Sequence, residues 1–370
     1  RYISVTGVQT CALPICQSVP VQARAMRFPR PSQVDYRRTT GTFYVQDVYA
    51  GPGLAGVARG TIKTLRVVAL DYRVAGIGWN SNGGPGGGAL ISTPVAIGNG
   101  AWDAKRILGD ATVHEDGSVF FQAPARTPVY FQLLDARNRM VQTMRSWATL
   151  QPGENASCVG CHEHKNSGPA ASRPLTRALQ HPPESLRPFY GPPRGFSFAR
   201  EVQPLLDRHC TRCHDGRADV PYALTAREVA DVTALRRWSE AYLALTHARQ
   251  DHQTEDRWRG DPDHPVVCWV SAQSAPPLQP PYAAGANRSQ LIDLLDRGHA
   301  DVRLSPEELD KLSAWIDLSV PYCGDYVEAN TWSVEEQKKH DRYTAKRQQC
   351  DREDRQNIDA WIQHTCGGAQ

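Results

Sequence analysis

Two short runs carry chemistry. Residues 157–164 read SCVGCHEH and residues 209–215 read HCTRCHD, so Cys158, Cys161 and His162 are echoed by Cys210, Cys213 and His214. A Cys-x-x-Cys pair can serve zinc, a redox dithiol or haem attachment. Four thiolates in two pairs make a tetrahedral zinc set by ligand type, but zinc does not require a histidine directly after each pair. With 12 histidines among 370 residues, chance placement after both pairs has odds on the order of one in a thousand. Covalent haem does require it, because two thioethers fix the porphyrin edge and the adjacent imidazole reaches the iron. A thioredoxin-like dithiol fits less well, since neither pair opens a helix in a βαβ setting. The reading is two covalently bound haem c groups, attached through Cys158, Cys161, Cys210 and Cys213 with His162 and His214 on the irons, and zinc as the alternative.

The opposite side of each iron is the next question. Met26, Met140 and Met144 all precede the first motif, so histidine is the expected sixth ligand of the second haem, giving a low-spin iron of lower potential. His247, His252, His264, His299, His340 and His364 follow His214, whereas His209 adjoins a thioether cysteine at the ring edge. His299 is chosen because it follows Gly298 at the end of one expected helix and precedes a capped one. Leu294, Leu295, Leu309 and Leu312 would wall that haem, and Asp301 is a candidate acceptor for the other ring nitrogen. For the first haem no distal ligand presents itself. Met140 and Met144 share a strand face and read as core, and His164 is too close to His162. An open, reactive first iron and a second that relays electrons is the expectation. Glu154, Glu163 and His164 flank the first motif as weak catalytic candidates for proton transfer, with exposed loop residues as the blander reading.

These residues need elements to hold them. Residues 5–15 (VTGVQTCALPI) are the codon-by-codon translation of a common sequencing-adapter string, so residues 1–16 are read as an artefact, with 17–40 a linker or truncated N-terminal region. Residues 41–168 form an expected β-rich, sandwich-like domain ending in the first motif: TFYVQDVY, TIKTLRVVALDYRV, GSVFFQAP, PVYFQLLD and RMVQTMRSW are strand-like. Residues 115–118 (EDGS) read as a hairpin turn, and 79–89 (WNSNGGPGGGA) as a flexible loop. Residues 169–196 read as a proline-rich extended linker. An all-α domain follows at 197–325, with helices at 198–209, 226–249, 288–297 and 306–318, the third started by Asn287 and the last by a Ser305 capping box. Residues 326–370 are a charged helical arm. The fold class is therefore α+β, in several domains.

Composition adds bounds. The 40% hydrophobic and 22% charged content is that of a soluble globular chain, and no apolar run reaches the roughly 18 residues of a membrane helix. A net charge of +3 gives no reason for a nucleic-acid partner. Setting aside Cys11 and Cys16, the remaining cysteines outside the motifs are Cys268, Cys323, Cys350 and Cys366, whose pairing is open. Haem attachment occurs outside the cytoplasm, so a periplasmic or otherwise extracytoplasmic protein is expected, its signal peptide lost upstream. The expected partners are a redox protein or other subunits, and a small-molecule redox substrate.

With these residues in place, the chain resembles the hydrazine synthase alpha subunit and its related dihaem c-type cytochrome proteins, from about residue 42 to 333. The likeness rests on YVQDVYAGPGL, STPVAIGNGAWDAKRILG, EDGSVFFQAPARTPVYFQLLD, VQTMRSWATLQPGE, GHADVRLSPEEL and WIDLSVPYCGDY besides the two motifs. It implies a missing N-terminal propeller-bearing region, a middle domain with a reactive haem, and a cytochrome c-like domain with a bis-histidine haem ligated by His299. The chain departs from that family where the reactive haem takes a tyrosine shortly after its motif: Asn166 occupies that stretch, and the next tyrosine is Tyr190. A redox role carries over through the resemblance; the particular substrate does not.

Overall fold

Strand β1 (Thr40–Val45) alternates half-buried and buried side chains, the period-2 signature of a sheet with one face on a core. It pairs antiparallel with β4 (Val119–Pro124) and parallel with β7 (Asn155–Cys158). A second sheet has the order β3-β2-β5-β6, from β2 (Thr64–Leu70), β3 (Lys105–Thr112), β5 (Val129–Leu134) and β6 (Met140–Thr143). The computed structural model describes residues 34–71, 74, 104–161, 175–220, 222–232, 236–246, 266–269 and 278–366. The 79–89 loop falls outside them.

The two sheets enclose an apolar cluster in which Phe43 and Phe121 both meet Phe131 edge-on, with ring centroids 5.0 and 5.6 Å apart. β2 and β5 are buried at every position, because their far face carries Val68, Leu70 and Tyr130 into a second cluster shared with the helices. Burial on both faces explains why TLRVVAL does not alternate. Its one charge, Arg66, is buried but paired through two nitrogens with Asp110 at 2.8 and 2.9 Å and lies 4.4 Å from the Phe189 ring centroid.

The 115–118 turn forms: His114 N donates to Ser118 O at 3.0 Å and Gly117 takes φ 83°, where a Cβ would meet Asp47 Oδ1 at 2.3 Å. It is not a hairpin, however. β3 and β4 enter different sheets, because β4 pairs with β1 and thereby turns Phe121 inward. Sequence patterning also missed β3 and β7. The described part of the 169–196 segment contains a 3-10 turn at Ala178–Gln180 and is fastened to the strands by bridges Arg106–Gly195, Asp110–Arg187 and Phe121–Glu184. Phe189 and Phe196 then enter the second cluster.

A single π turn (Phe198–Val202) leads into α1 (Gln203–His209). The helix expected at 226–249 is instead a ribbon, β8 (Glu228–Asp231) with β9 (Arg236–Ser239), followed by α2 (Glu240–Thr246). Pairing these strands buries Trp238 completely, lets its Nε1 donate to Asp231 at 3.1 Å, and stacks it on Tyr242. Burial of that tryptophan outweighs the helical propensity of its neighbours. The region after 197 is therefore not all-α.

α3 (Gln290–Arg297) has Ser289 at its N-cap position, without a side-chain cap bond; Asn287 sits in a preceding 3-10 turn and donates to Asp135 at 3.0 Å. α4 (Pro306–Asp317) starts with the full Ser305–Glu308 capping box, as its sequence predicts. α5 (Val334–Cys366) is the charged arm. It touches the β-rich part through an Arg126–Asp354 ion pair of 3.0 Å and an edge contact between Tyr36 and Trp361.

Candidate functional site

α1 directs Leu205 and Leu206 inward and ends on His209. Residues 210–214 then coil into a tight turn in which Cys213 N and His214 N donate to Cys210 O at 3.1 and 2.9 Å. The returning chain pins the motif: Leu224 N donates to His214 O at 2.8 Å, and Tyr222 O lies 3.1 Å from His214 Nδ1. A carbonyl can only accept, so Nδ1 carries the proton in this contact.

From the other side, α3 stops at Gly298, whose φ of 92° ends the helix, and His299 follows on the loop to Ser305. The His214 and His299 rings face each other with centroids 6.1 Å apart and planes inclined by 36°. A metal–imidazole bond is about 2 Å and the centroid lies roughly 1 Å behind its nitrogen, so two imidazoles across one metal stand about 6 Å apart. Both rings line a cavity of about 590 Å³ together with Cys210 and Cys213. That volume suits a cofactor. Leucine is the commonest residue in its wall, which includes the expected Leu294, Leu295 and Leu312, while Leu309 packs in the cluster behind it. The donor set, the spacing and the apolar wall fit a porphyrin held by two thioethers and two imidazoles.

Arg208 and His209 belong to the lining and meet Glu308. Glu308 Oε1 accepts from Arg208 Nη1 at 2.6 Å and His209 Nε2 at 3.0 Å, while Oε2 accepts from Ser305 N and Oγ at 2.9 and 3.0 Å. The Ser305 backbone donor, with His209 beside it, lowers the Glu308 carboxyl to about 2 against the effect of burial. Asp301 lines the cavity, but its side chain is exposed.

The first motif is built differently. Cys158 ends β7, with Gln46 N donating to its carbonyl at 2.9 Å, and Gly53 N reaches Cys161 O at 3.4 Å. Between them Gly160 presses on Ala50, where an added Cβ would lie 2.1 Å from the carbonyl oxygen. Burial, then the neighbouring Cys158 and Asp47, pushes the Cys161 thiol up to about 12. Cys158 and Cys161 pack on the sandwich core and Cys210 on the helical cluster, so the two pairs do not assemble one zinc site. His162, Glu163, His164 and Asn166 lie outside the described residues.

The remaining candidates separate clearly. Glu154 Oε2 accepts from Gln151 N at 2.6 Å within its own turn. Met140 is buried with its sulfur 3.4 Å from Gln132 Nε2, and Met144 is packed between the two clusters, so both are core residues, as expected. His340 and His364 lie on α5, and His247, His252 and His264 lie outside the described residues. Cys268 and Cys323 are buried free thiols and Cys350 an exposed one. Tyr190 donates to Asp310 at 2.7 Å. Sequence reasoning missed the Tyr222 carbonyl and the Glu308 contacts. A backbone acceptor leaves no mark in residue type, and the Ser305–Glu308 spacing signals only the cap.

A family described as the hydrazine synthase alpha subunit middle domain matches residues 60–163. Hydrazine synthase subunit alpha of Kuenenia stuttgartiensis is 23% identical over 317 residues, covering 72% of this chain and 39% of that protein. The solved structure of Kuenenia stuttgartiensis hydrazine synthase aligns with a TM-score of 0.53 at 20% identity, over 78% of this chain and 44% of that one. At that identity the structural likeness is one of fold, and the chain spans less than half the length of either relative. The findings agree on a chain related to the hydrazine synthase alpha subunit.

Proposed function

We propose that this relative of the hydrazine synthase alpha subunit is an exported dihaem c-type oxidoreductase, with a reactive haem at the first motif and a bis-histidine electron relay at the second. The observation that carries the reading is the 6.1 Å separation of the His214 and His299 rings across an apolar cavity that also holds Cys210 and Cys213. A c-type haem bound there supplies one-electron transfer. The chain's part is to fix its edge through Cys210 and Cys213, to orient His214 through the Tyr222 carbonyl, and to exclude water with the apolar part of the wall. On this reading the segment from 197 to 325 is cytochrome c-like despite its β8–β9 ribbon. Cys158, Cys161 and His162 hold the other haem, and its iron is the one that binds small molecules.

Export follows from the attachment chemistry, which takes place outside the cytoplasm. The Kuenenia relative is by name a subunit, which supports partner subunits or a redox protein here. Among the described residues no helix is long and apolar enough to cross a membrane.

A second reading, electron transfer or partner binding without catalysis at either haem, is favoured by one observation: the Glu154 carboxylate is tied to its own turn. Expression in a host with haem-attachment machinery tests the main reading. Colour that resists acid–acetone and a mass gain of two haems are expected; extractable colour, or stoichiometric zinc without haem, overturns it. Carbon monoxide added to the reduced protein then separates the alternatives: half the haem shifting its Soret band supports a reactive site, and no shift supports pure relay.

A further inference from the structure

We propose that Glu308 is the positioning residue that sets the gap between His214 and His299, by stapling the helix that presents the attachment turn to the helix that follows the distal loop. The inference rests on the reading of residues 210–214 as a haem site. Arg208 and His209 are the last residues of α1 and directly precede Cys210. Ser305 caps α4 and closes the loop that begins at Gly298 and carries His299. One carboxylate touches both ends, Oε1 holding Arg208 and His209, and Oε2 holding Ser305.

The argument is one of which forces can set a distance. Leucine is the commonest residue in the wall around the two imidazoles, which also carries Arg212, Gln290, Arg297 and Asp301; its apolar packing is non-directional, so it permits small slips between helices. A two-ligand site needs placement to within about 0.5 Å. Gly298 at φ 92° and Ala300 at φ 47° give the distal loop its direction, but not its distance from α1. The Glu308 contacts do fix that distance, because four short donors converge on two oxygens of a residue that is only 9% exposed. Charge-assisted hydrogen bonds of this kind are directional and roughly twice as strong as neutral ones.

The cap and the staple can be separated. Ser305→Ala removes the hydroxyl of the cap and leaves the contacts of Glu308 with Arg208 and His209. The double variant Arg208→Ala, His209→Ala does the reverse, removing the α1 donors while leaving the capping box whole. Glu308→Gln weakens both.

The test uses the full chain loaded with haem. Glu308→Gln and the double variant are expected to keep both haems through acid–acetone while the carbon-monoxide-reactive haem rises from one per chain toward two, with added imidazole restoring the low-spin spectrum. Ser305→Ala is expected to lower the unfolding midpoint and leave the spectrum unchanged. The staple is overturned by a double variant that keeps a wild-type low-spin spectrum and reactivity, or by Ser305→Ala shifting the spectrum as far as Glu308→Gln does. If Glu308→Gln does not fold, the double variant decides alone. A wild-type chain without a low-spin haem at the second motif overturns the underlying reading and the staple with it.

Discussion

The backbone carbonyl of Tyr222 holds Nδ1 of His214 at 3.1 Å, from a residue whose own φ of 67° is unusual for a side chain of that size. The strained backbone is locked by its neighbour Leu224, whose N–H returns to the His214 carbonyl at 2.8 Å. The His214 imidazole is thus held through Nδ1 by a backbone carbonyl, and His299 lies across the cavity from it. On the dihaem reading, His299→Ala should convert one low-spin haem into a high-spin, carbon-monoxide-binding form with a raised potential, without loss of attachment. Optical spectra and a redox titration check this; an unchanged low-spin spectrum would move the ligand to His264 or His247.

Gly160 sits between the two cysteines of the first motif with its Cα against Ala50. Gly160→Ala places a methyl group on a backbone oxygen that cannot rotate away, so the loop must shift. The expected cost is about 1–3 kcal/mol, the range for overpacking. Haem stoichiometry by mass should fall at the first motif and hold at the second.

Asp110 neutralises a guanidinium buried under the Phe189 ring. Asp110→Ala strands that charge and should cost about 3–5 kcal/mol in urea unfolding. Arg66→Met should cost clearly less, because it removes the charge and keeps much of the volume. Equal losses would mean that packing, not charge, dominates this site.

Asp317, at the end of α4, is fully buried, which raises its carboxyl to about 7 even though the N–H groups of Ala286 and Met140 donate to it at 2.7 and 2.9 Å. Between roughly pH 4 and 7 the folded chain therefore holds a proton that the unfolded chain has released. This group's contribution to stability is full below about pH 4 and is lost as pH rises through 7. The difference in unfolding free energy between wild type and Asp317→Asn should shift across that window and level off above it. A difference independent of pH would show that Asp317 stays ionised throughout.

Local features were legible. The Ser305–Glu308 box appears where its sequence puts it because every bond in it spans three residues. The Gly117 turn was legible for the same reason, and so was the alternation of β1, which has one face on the core. Misreadings began where a second element was needed. The 226–249 stretch has helical propensity, yet the burial of Trp238 against Tyr242 and Asp231 made it a ribbon. The turn at Gly117 was right, but the sheets it joins were not, since the pairing of β4 with β1 depends on where Phe43 and Phe131 meet Phe121.

The same division runs through the site. Residue types and spacing alone determined that Cys158 with Cys161, and Cys210 with Cys213, are paired donors followed by an imidazole, because that chemistry lies within five consecutive residues. Tertiary structure decided that His299 faces His214, that a carbonyl from Tyr222 holds the ring, and that one carboxylate from Glu308 spans both sides. Those relationships join segments up to 100 positions apart. The free energy that closes such loops comes from burying leucines on several helices at once, which no single stretch of sequence encodes.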